Sequence, residues 1–207
     1  MLELLLTQFV LLWAVIDPVG SIPVFLSQTR GMTAAQQRRI AFKAIFISAL
    51  TLLFFLVAGQ ILLEAMEVPL PAFQVAGGLV LLLFALTMIF GESKPASEID
   101  LHDENLWDKA VYPLAIPSIA SPGAMLAIVM LTDNTRFDFS QQAVTAGIML
   151  SVLAITLVLL MLANPIQRVI GAAGAAIVSR VMGLILASVA MNELLSGLHS
   201  YFTQLAG

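Results

Sequence analysis

Two short stretches of this 207-residue chain combine a capping side chain, a proline and a glycine within apolar sequence: Asp17-Pro18-Val19-Gly20 and Ser121-Pro122-Gly123-Ala124. Proline inside a helix removes a hydrogen bond and clashes with the preceding turn, at a cost of about 3 kcal/mol. It suits the first position of a helix, however, and Asp and Ser suit the N-cap before it. Each stretch therefore reads as a break at which a second half-helix starts, with Gly20 or Gly123 permitting close backbone approach. Pro23 falls in the first turns of one half-helix, and Pro113 and Pro117 loosen the segment ahead of the other. A half-helix N-terminus carries unpaired N–H groups and a partial positive charge of about half a unit. Two such ends brought together would hold a carboxylate without an arginine. Asp17 would then accept from an ammonium group or carry a coupling proton, a chemistry that fits a small zwitterion. The plainer reading is that both prolines are ordinary membrane-helix kinks and that Asp17 only caps.

The elements that must position these residues are membrane spans. The chain is 60% apolar and 11% charged, with a mean hydropathy of +1.00, whereas soluble domains run near about half apolar and a quarter charged. A water-soluble fold would have too little polar surface to cover that much hydrocarbon. A spanning helix needs about 20 mostly apolar residues, and six stretches qualify: 3–27, 41–63, 70–90, 110–131, 141–163 and 176–199. They are too long for barrel strands and lack in/out alternation. The expected fold is all-α and integral to the membrane. Glu3 stands where a cleavable signal would carry basic residues, so the N-terminal stretch is expected to stay as the first span.

Eight of the nine basic residues fall on one side of such an arrangement: Arg30, Arg38, Arg39, Lys43, Lys94, Lys109, Arg168 and Arg180, against Arg136 alone. Excess Lys and Arg marks the cytoplasm. Loops 1, 3 and 5 are thus expected inside and both termini outside. An internal repeat runs through it. The two breaks are 104 residues apart, while Gly78-Leu79-Val80-Leu81 and Gly183-Leu184-Ile185-Leu186, and likewise Ala85 and Ala190, are 105 apart. The halves, 1–92 and 106–207 with a cytoplasmic linker at 93–105, read as two copies of a three-helix unit. An odd number of spans per copy inverts the second. Breaks at matching positions of two inverted halves are the best sequence pointer to a transporter's binding site.

Asp17 lies near the middle of its span, where a charge costs about 2.5–3.5 kcal/mol and must face the bundle interior or a wet cavity. Glu193, beside Asn192, lies nearer the outer end of the last span; it either lines an outer vestibule or proton path, or snorkels to the interface. Lys43 reads as an interface anchor. Gly77, Gly78, Gly183, Ala187 and Ala190 leave room for close helix approach. Glu92, Glu98, Asp100, His102, Asp103, Glu104 and Asp108 form a solvated loop, and His199 is too isolated for a metal site. With a formal charge of −4 and no basic patch, the chain is no nucleic-acid binder. It has no cysteine, which excludes disulfides and thiolate chemistry. No protease, hydrolase, nucleotide or dinucleotide fingerprint occurs, so neither an enzyme nor a cofactor is expected.

The run from Asp17 to Phe25 (Asp-Pro-Val-Gly-Ser-Ile-Pro-Val-Phe), the run from Pro113 to Ala124 (Pro-Leu-Ala-Ile-Pro-Ser-Ile-Ala-Ser-Pro-Gly-Ala) and the run from Arg180 to Leu186 resemble the MarC/SnatA family over essentially the whole chain. The resemblance implies a secondary carrier in a bacterial or archaeal inner membrane for small neutral amino acids such as glycine and alanine, coupled to protons or, in their place, sodium ions. The family places Asp or Asn at position 17, followed by Pro18, Gly20 and Pro23, all present here. Its second break often reads Gly-Pro-Gly; Ser121 departs from that and bears on which substrate fits. A channel or exporter for another small solute is the alternative, and assembly into a homo-oligomer is left open.

Overall fold

The computed structural model describes residues 2–65, 67–90, 110–134 and 137–206. The loop carboxylates from Glu92 to Asp108, the linker at 93–105, and Lys94, Lys109 and Arg136 lie outside the described residues. Among the described residues the structure is helical, with no strand. The elements in order are α1 (Leu2–Ile16), α2 (Ser21–Gln28), α3 (Ala34–Ala65), α4 (Leu70–Phe90), α5 (Ala110–Ile119), α6 (Pro122–Leu131), α7 (Phe139–Met161) and α8 (Ala163–Ala206). Among the described residues, five stretches are long and apolar enough to cross a membrane: Leu5–Gln28, Ala34–Gly59, Pro71–Phe90, Phe139–Met161 and Ala176–Thr203.

The stretch expected as a sixth span, 110–131, is divided between α5 and α6. Inside α5, Tyr112 (φ −126°, ψ 132°) and Ile116 (φ −129°, ψ 124°) are extended. Each stands immediately before a proline, and the residue before proline is driven out of the helical region. The segment closes with a wide turn in which Ala120 N–H donates to Ala115 O at 2.8 Å. A second departure concerns the connection before the last span, which is helical rather than a loop. Residues 163–170 form the first arm of α8, and Gly171 turns the chain at φ 68°, ψ 176°, a conformation open essentially to glycine alone. Arg168 lies on that first arm and Arg180 on the long arm beyond it.

Two helices open on reciprocal caps. Thr33 N–H donates to Gln36 Oε1 at 2.9 Å and Gln36 N–H donates to Thr33 Oγ1 at 3.4 Å, opening α3. Gln141 N–H donates to Asp138 Oδ1 at 2.8 Å and Asp138 N–H donates to Gln141 Oε1 at 3.1 Å, opening α7. Both follow the Ser/Thr/Asp-x-x-Gln pattern that satisfies two orphan donors at once.

Packing divides each helix into an inner and an outer face. On α3, Phe42, Phe46, Leu50, Phe54, Val57 and Ile61 are exposed, while Ile40, Ala41, Ala44, Ser48 and Leu52 are buried. An apolar stripe of that length at helical spacing is a face for hydrocarbon rather than water. The most extensive helix pair is α4 with α8. A Cβ at Gly78 would meet Leu194 N at 2.7 Å and Ala190 O at 2.8 Å, and one at Gly183 would meet Met88 Cβ at 2.9 Å and Ala85 O at 3.1 Å. Glycine lets the two backbones approach where lipid offers no hydrophobic drive for association. The contacts are reciprocal: Gly78 sits on Ala190, and Gly183 sits on Ala85.

Candidate functional site

Asp17 ends one helix and opens the next. Its backbone is left-handed, with φ 49°, a conformation that Asp tolerates better than most side chains because its short polar group bonds locally. Its N–H donates to Trp13 O at 2.9 Å, the bond that closes α1 in an αL cap. Pro18 then prevents α1 from continuing. The Asp17 carboxylate turns forward, and its Oδ1 accepts from Gly20 N–H at 2.9 Å. The sequence expectation of Asp17 as N-cap and Pro18 as first helical residue is met in the cap bond but not in the helix bounds. Residues 18–20 form a turn and α2 is regular from Ser21.

The second break is simpler. Ser121 is the N-cap of α6 and Pro122 its first residue, with the Ser121 hydroxyl accepting from Ala124 N–H at 3.0 Å. In both breaks the proline has no N–H, and the cap takes the third one. The second residues, Val19 in the turn before α2 and Gly123 in the first turn of α6, keep N–H groups that neither cap takes up.

The two breaks are in direct contact. Ser121 Oγ donates to Val15 O at 3.0 Å, and Ser21 Oγ stands 3.3 Å from Ser118 Oγ. Ser48, from α3, donates to Ala115 O at 3.4 Å. The long arm of α8 completes the arrangement, with Ser179 Oγ donating to Asp17 Oδ2 at 3.3 Å. Asp17 is 1% exposed and Ser121 fully buried. Both carboxylate oxygens of Asp17 are thus held by donors from different elements, and the site is shut in this arrangement. Gly20 is required for it, because a Cβ there would collide with Asp17 Oδ2 and stand 2.6 Å from Ser179 Oγ. Gly123 is more forgiving, its nearest neighbour being Leu81 Cδ2 at 3.0 Å.

Asn192 and Glu193 lie apart from the breaks. They line a cavity of about 620 Å³ between α1 and α8, together with Thr7 and Ser188. Along α1 the wall runs inward from Leu6 to Ala14, stopping one turn short of Asp17. Glu193 Oε2 accepts from Gln74 Nε2 at 2.6 Å.

Several buried polar groups escaped the sequence reading. Ser179 (6% exposed) and Gln74 (3%) are among them, and so are Gln8 and Asp133 at 1% each. Thr145 Oγ1 donates to Gln8 Oε1 at 3.2 Å, tying α7 to α1. The repeat spacing carried a signal for some of these. Gln74 and Ser179 are 105 residues apart, and Asp133 is 104 beyond Thr29, itself buried at the end of α2.

Comparison with known proteins agrees with the architecture. The family described as MarC family integral membrane protein matches residues 2–202. The UPF0056 membrane protein YvbG of Bacillus subtilis is 32% identical over 207 residues, covering 98% of this chain and 97% of its own length. A UPF0056 membrane protein of Aquifex aeolicus is 31% identical over 201 residues, 94% of this chain and 92% of its own. The UPF0056 membrane protein MJ0972 of Methanocaldococcus jannaschii is 32% identical over 204 residues, 96% and 88% respectively. No solved structure gives a significant match.

Proposed function

The chain belongs to the MarC family of integral membrane proteins, and on that footing we propose that it is a secondary carrier for small neutral amino acids. The observation that carries this reading is the meeting of the two Pro-Gly breaks through Ser121 to Val15 and Ser21 to Ser118. Residues 104 apart in sequence supply two half-helix starts to one buried place. Inverted three-helix repeats account for that meeting, and three further features support them. The capping boxes that open α3 and α7 are 105 residues apart. The contacts of Gly78 with Ala190 and of Gly183 with Ala85 are exchanged as a two-fold relation between halves demands. Both half-helices end on threonine caps, Thr29 and Thr132.

In the proposed mechanism the substrate carboxylate takes the N–H groups of Val19 and Gly123, where the helix ends are partly positive. The substrate ammonium replaces Ser179 as donor to Asp17 Oδ2. The cavity beside Asn192 and Glu193 is the outer vestibule, its far wall pointing along α1 towards Asp17. Rocking of one repeat against the other then opens the site to alternate sides, with protons as the coupling ion. The small cross-section left by Gly20 and Ser121 favours glycine- or alanine-sized side chains.

The test is uptake of labelled alanine and glycine into liposomes holding the purified chain, with and without an inward proton gradient. Saturable uptake that rises with the gradient, and exchange stimulated by unlabelled substrate on the far side, are the expected results. Non-saturable flux without counterflow would make it a channel instead.

A further inference from the structure

The outer cavity does not end blindly. A smaller space of about 90 Å³ lies against it, and Leu11, Leu131, Val189 and Glu193 line both. Those four side chains are therefore the partition. The far wall of the small chamber includes Leu81, Ala127, Met130 and Phe137. Leu81 is also the neighbour that closes on Gly123, with its Cδ2 3.0 Å from where a Cβ would stand. Cavity and chamber thus adjoin at the partition, and Leu81 stands between the chamber and Gly123.

We infer that Glu193 and Gln74 form the gate in this partition, and that the gate selects solutes carrying an ammonium group. The inference rests on the carrier reading and deepens it by naming how the substrate is admitted. Three of the four partition residues are aliphatic. Glu193 alone carries a formal charge among the described residues lining either space. Its carboxylate is held across the helix pair by Gln74 Nε2 at 2.6 Å, from a side chain 3% exposed. An amide donor to a carboxylate is a charge-assisted bond, but a full cation makes a stronger one. An arriving ammonium group therefore displaces Gln74, and the Glu193 side chain swings with it.

The motion belongs to the side chain rather than to the helices. The bond is flanked by two glycine contacts that hold the α4 and α8 backbones together. A Cβ at Gly78 would stand 2.7 Å from Leu194 N, and one at Gly197 would stand 3.0 Å from Pro71 O. Splitting the helices would break both; rotating Glu193 breaks one hydrogen bond.

The absence of cysteine makes the gate directly measurable. Met130→Cys places a thiol in the small chamber, and Leu6→Cys places one in the outer cavity alone. Each full-length variant is held in lipid nanodiscs and treated with methanethiosulfonate reagents, one carrying an ammonium group and the other a sulfonate. At Met130→Cys the cationic reagent should react about tenfold faster than the anionic one, relative to their rates at Leu6→Cys, the factor expected from one nearby charge at partial burial. Glu193→Gln, which keeps a hydrogen-bonding partner for Gln74, should remove that preference. Gln74→Leu should speed both reagents at Met130→Cys and neither at Leu6→Cys. Equal rates for the two reagents at Met130→Cys, or a preference that survives Glu193→Gln, overturns ammonium selection. Unchanged rates in Gln74→Leu overturn the gate. None of these rates depends on amino acid transport, so a chain that shows the gate but no uptake would sink the carrier reading alone.

Discussion

At the scale of the residue, Asp17 holds a left-handed backbone, closes α1 through its N–H and caps the next turn through its carboxylate. Removing the side chain therefore tests too much at once. Asp17→Ala forfeits both the cap and the tolerance for positive φ, and should lose about 1–3 kcal/mol of stability. Asp17→Asn keeps an acceptor for Gly20 N–H and a side chain suited to both roles, so its melting temperature should match the parent's. If the negative charge binds substrate or proton, uptake by Asp17→Asn should still fall at least about tenfold, the loss of one charge-assisted contact. Parent-like uptake by that variant would reduce Asp17 to a structural cap. The Asp-Pro-Val-Gly order points to the cap bond from Gly20 N–H to the Asp17 carboxylate but not to the start of α2 at Ser21. Ser179 was not legible as its partner, because a lone serine in a long apolar helix has no pattern of its own. Only the fold brings α8 to the end of α1.

At the scale of the element, apolar length located the helices well, because a bilayer demands about 20 apolar residues regardless of packing. It failed where backbone chemistry overrides hydropathy. Tyr112 and Ile116 sit in an apolar stretch yet are extended, each because a proline follows. Conversely, the span bounds leave a connection between residues 163 and 176 that carries Arg168, but 163–170 is helical until Gly171 turns the chain. The glycines separate along the same line. A Cβ at Gly78 meets backbone atoms of α8, which cannot move without shifting the helix, whereas one at Gly123 meets only side chains, the tightest being the end of Leu81. Gly78→Ala should thus destabilise the chain by about 1–3 kcal/mol, the usual cost of overpacking. Gly123→Ala should stay within about 1 kcal/mol, since a leucine methyl can turn aside. Thermal unfolding in detergent would rank the two, and equal losses would contradict the close backbone approach of α4 and α8.

At the scale of the whole molecule, two of the contacts between the N-terminal and C-terminal helices differ in mechanical character. The α4–α8 pair is a close approach through glycines, and at Gly78 the facing atoms are all backbone. The breaks are joined by two hydrogen bonds between small hydroxyl side chains and their neighbours. A rocking carrier needs one firm contact to pivot on and one weak contact to part, and the hydroxyl bonds are the weak one, each worth about 0.5–1.5 kcal/mol net. Making that contact permanent should stop transport without harming the fold. Ser21 and Ser118 come within 3.3 Å at their hydroxyls, so Ser21→Cys with Ser118→Cys in the cysteine-free chain should be joined by mild copper-catalysed oxidation. The oxidised double variant should bind substrate no more than weakly and show no uptake, and reduction should restore the rate of the two single variants. Retained uptake in a fully cross-linked sample, verified by mass, would mean that the breaks need not separate. The moving part would then have to be sought at the outer gate, where a rotating side chain suffices for passage through a pore.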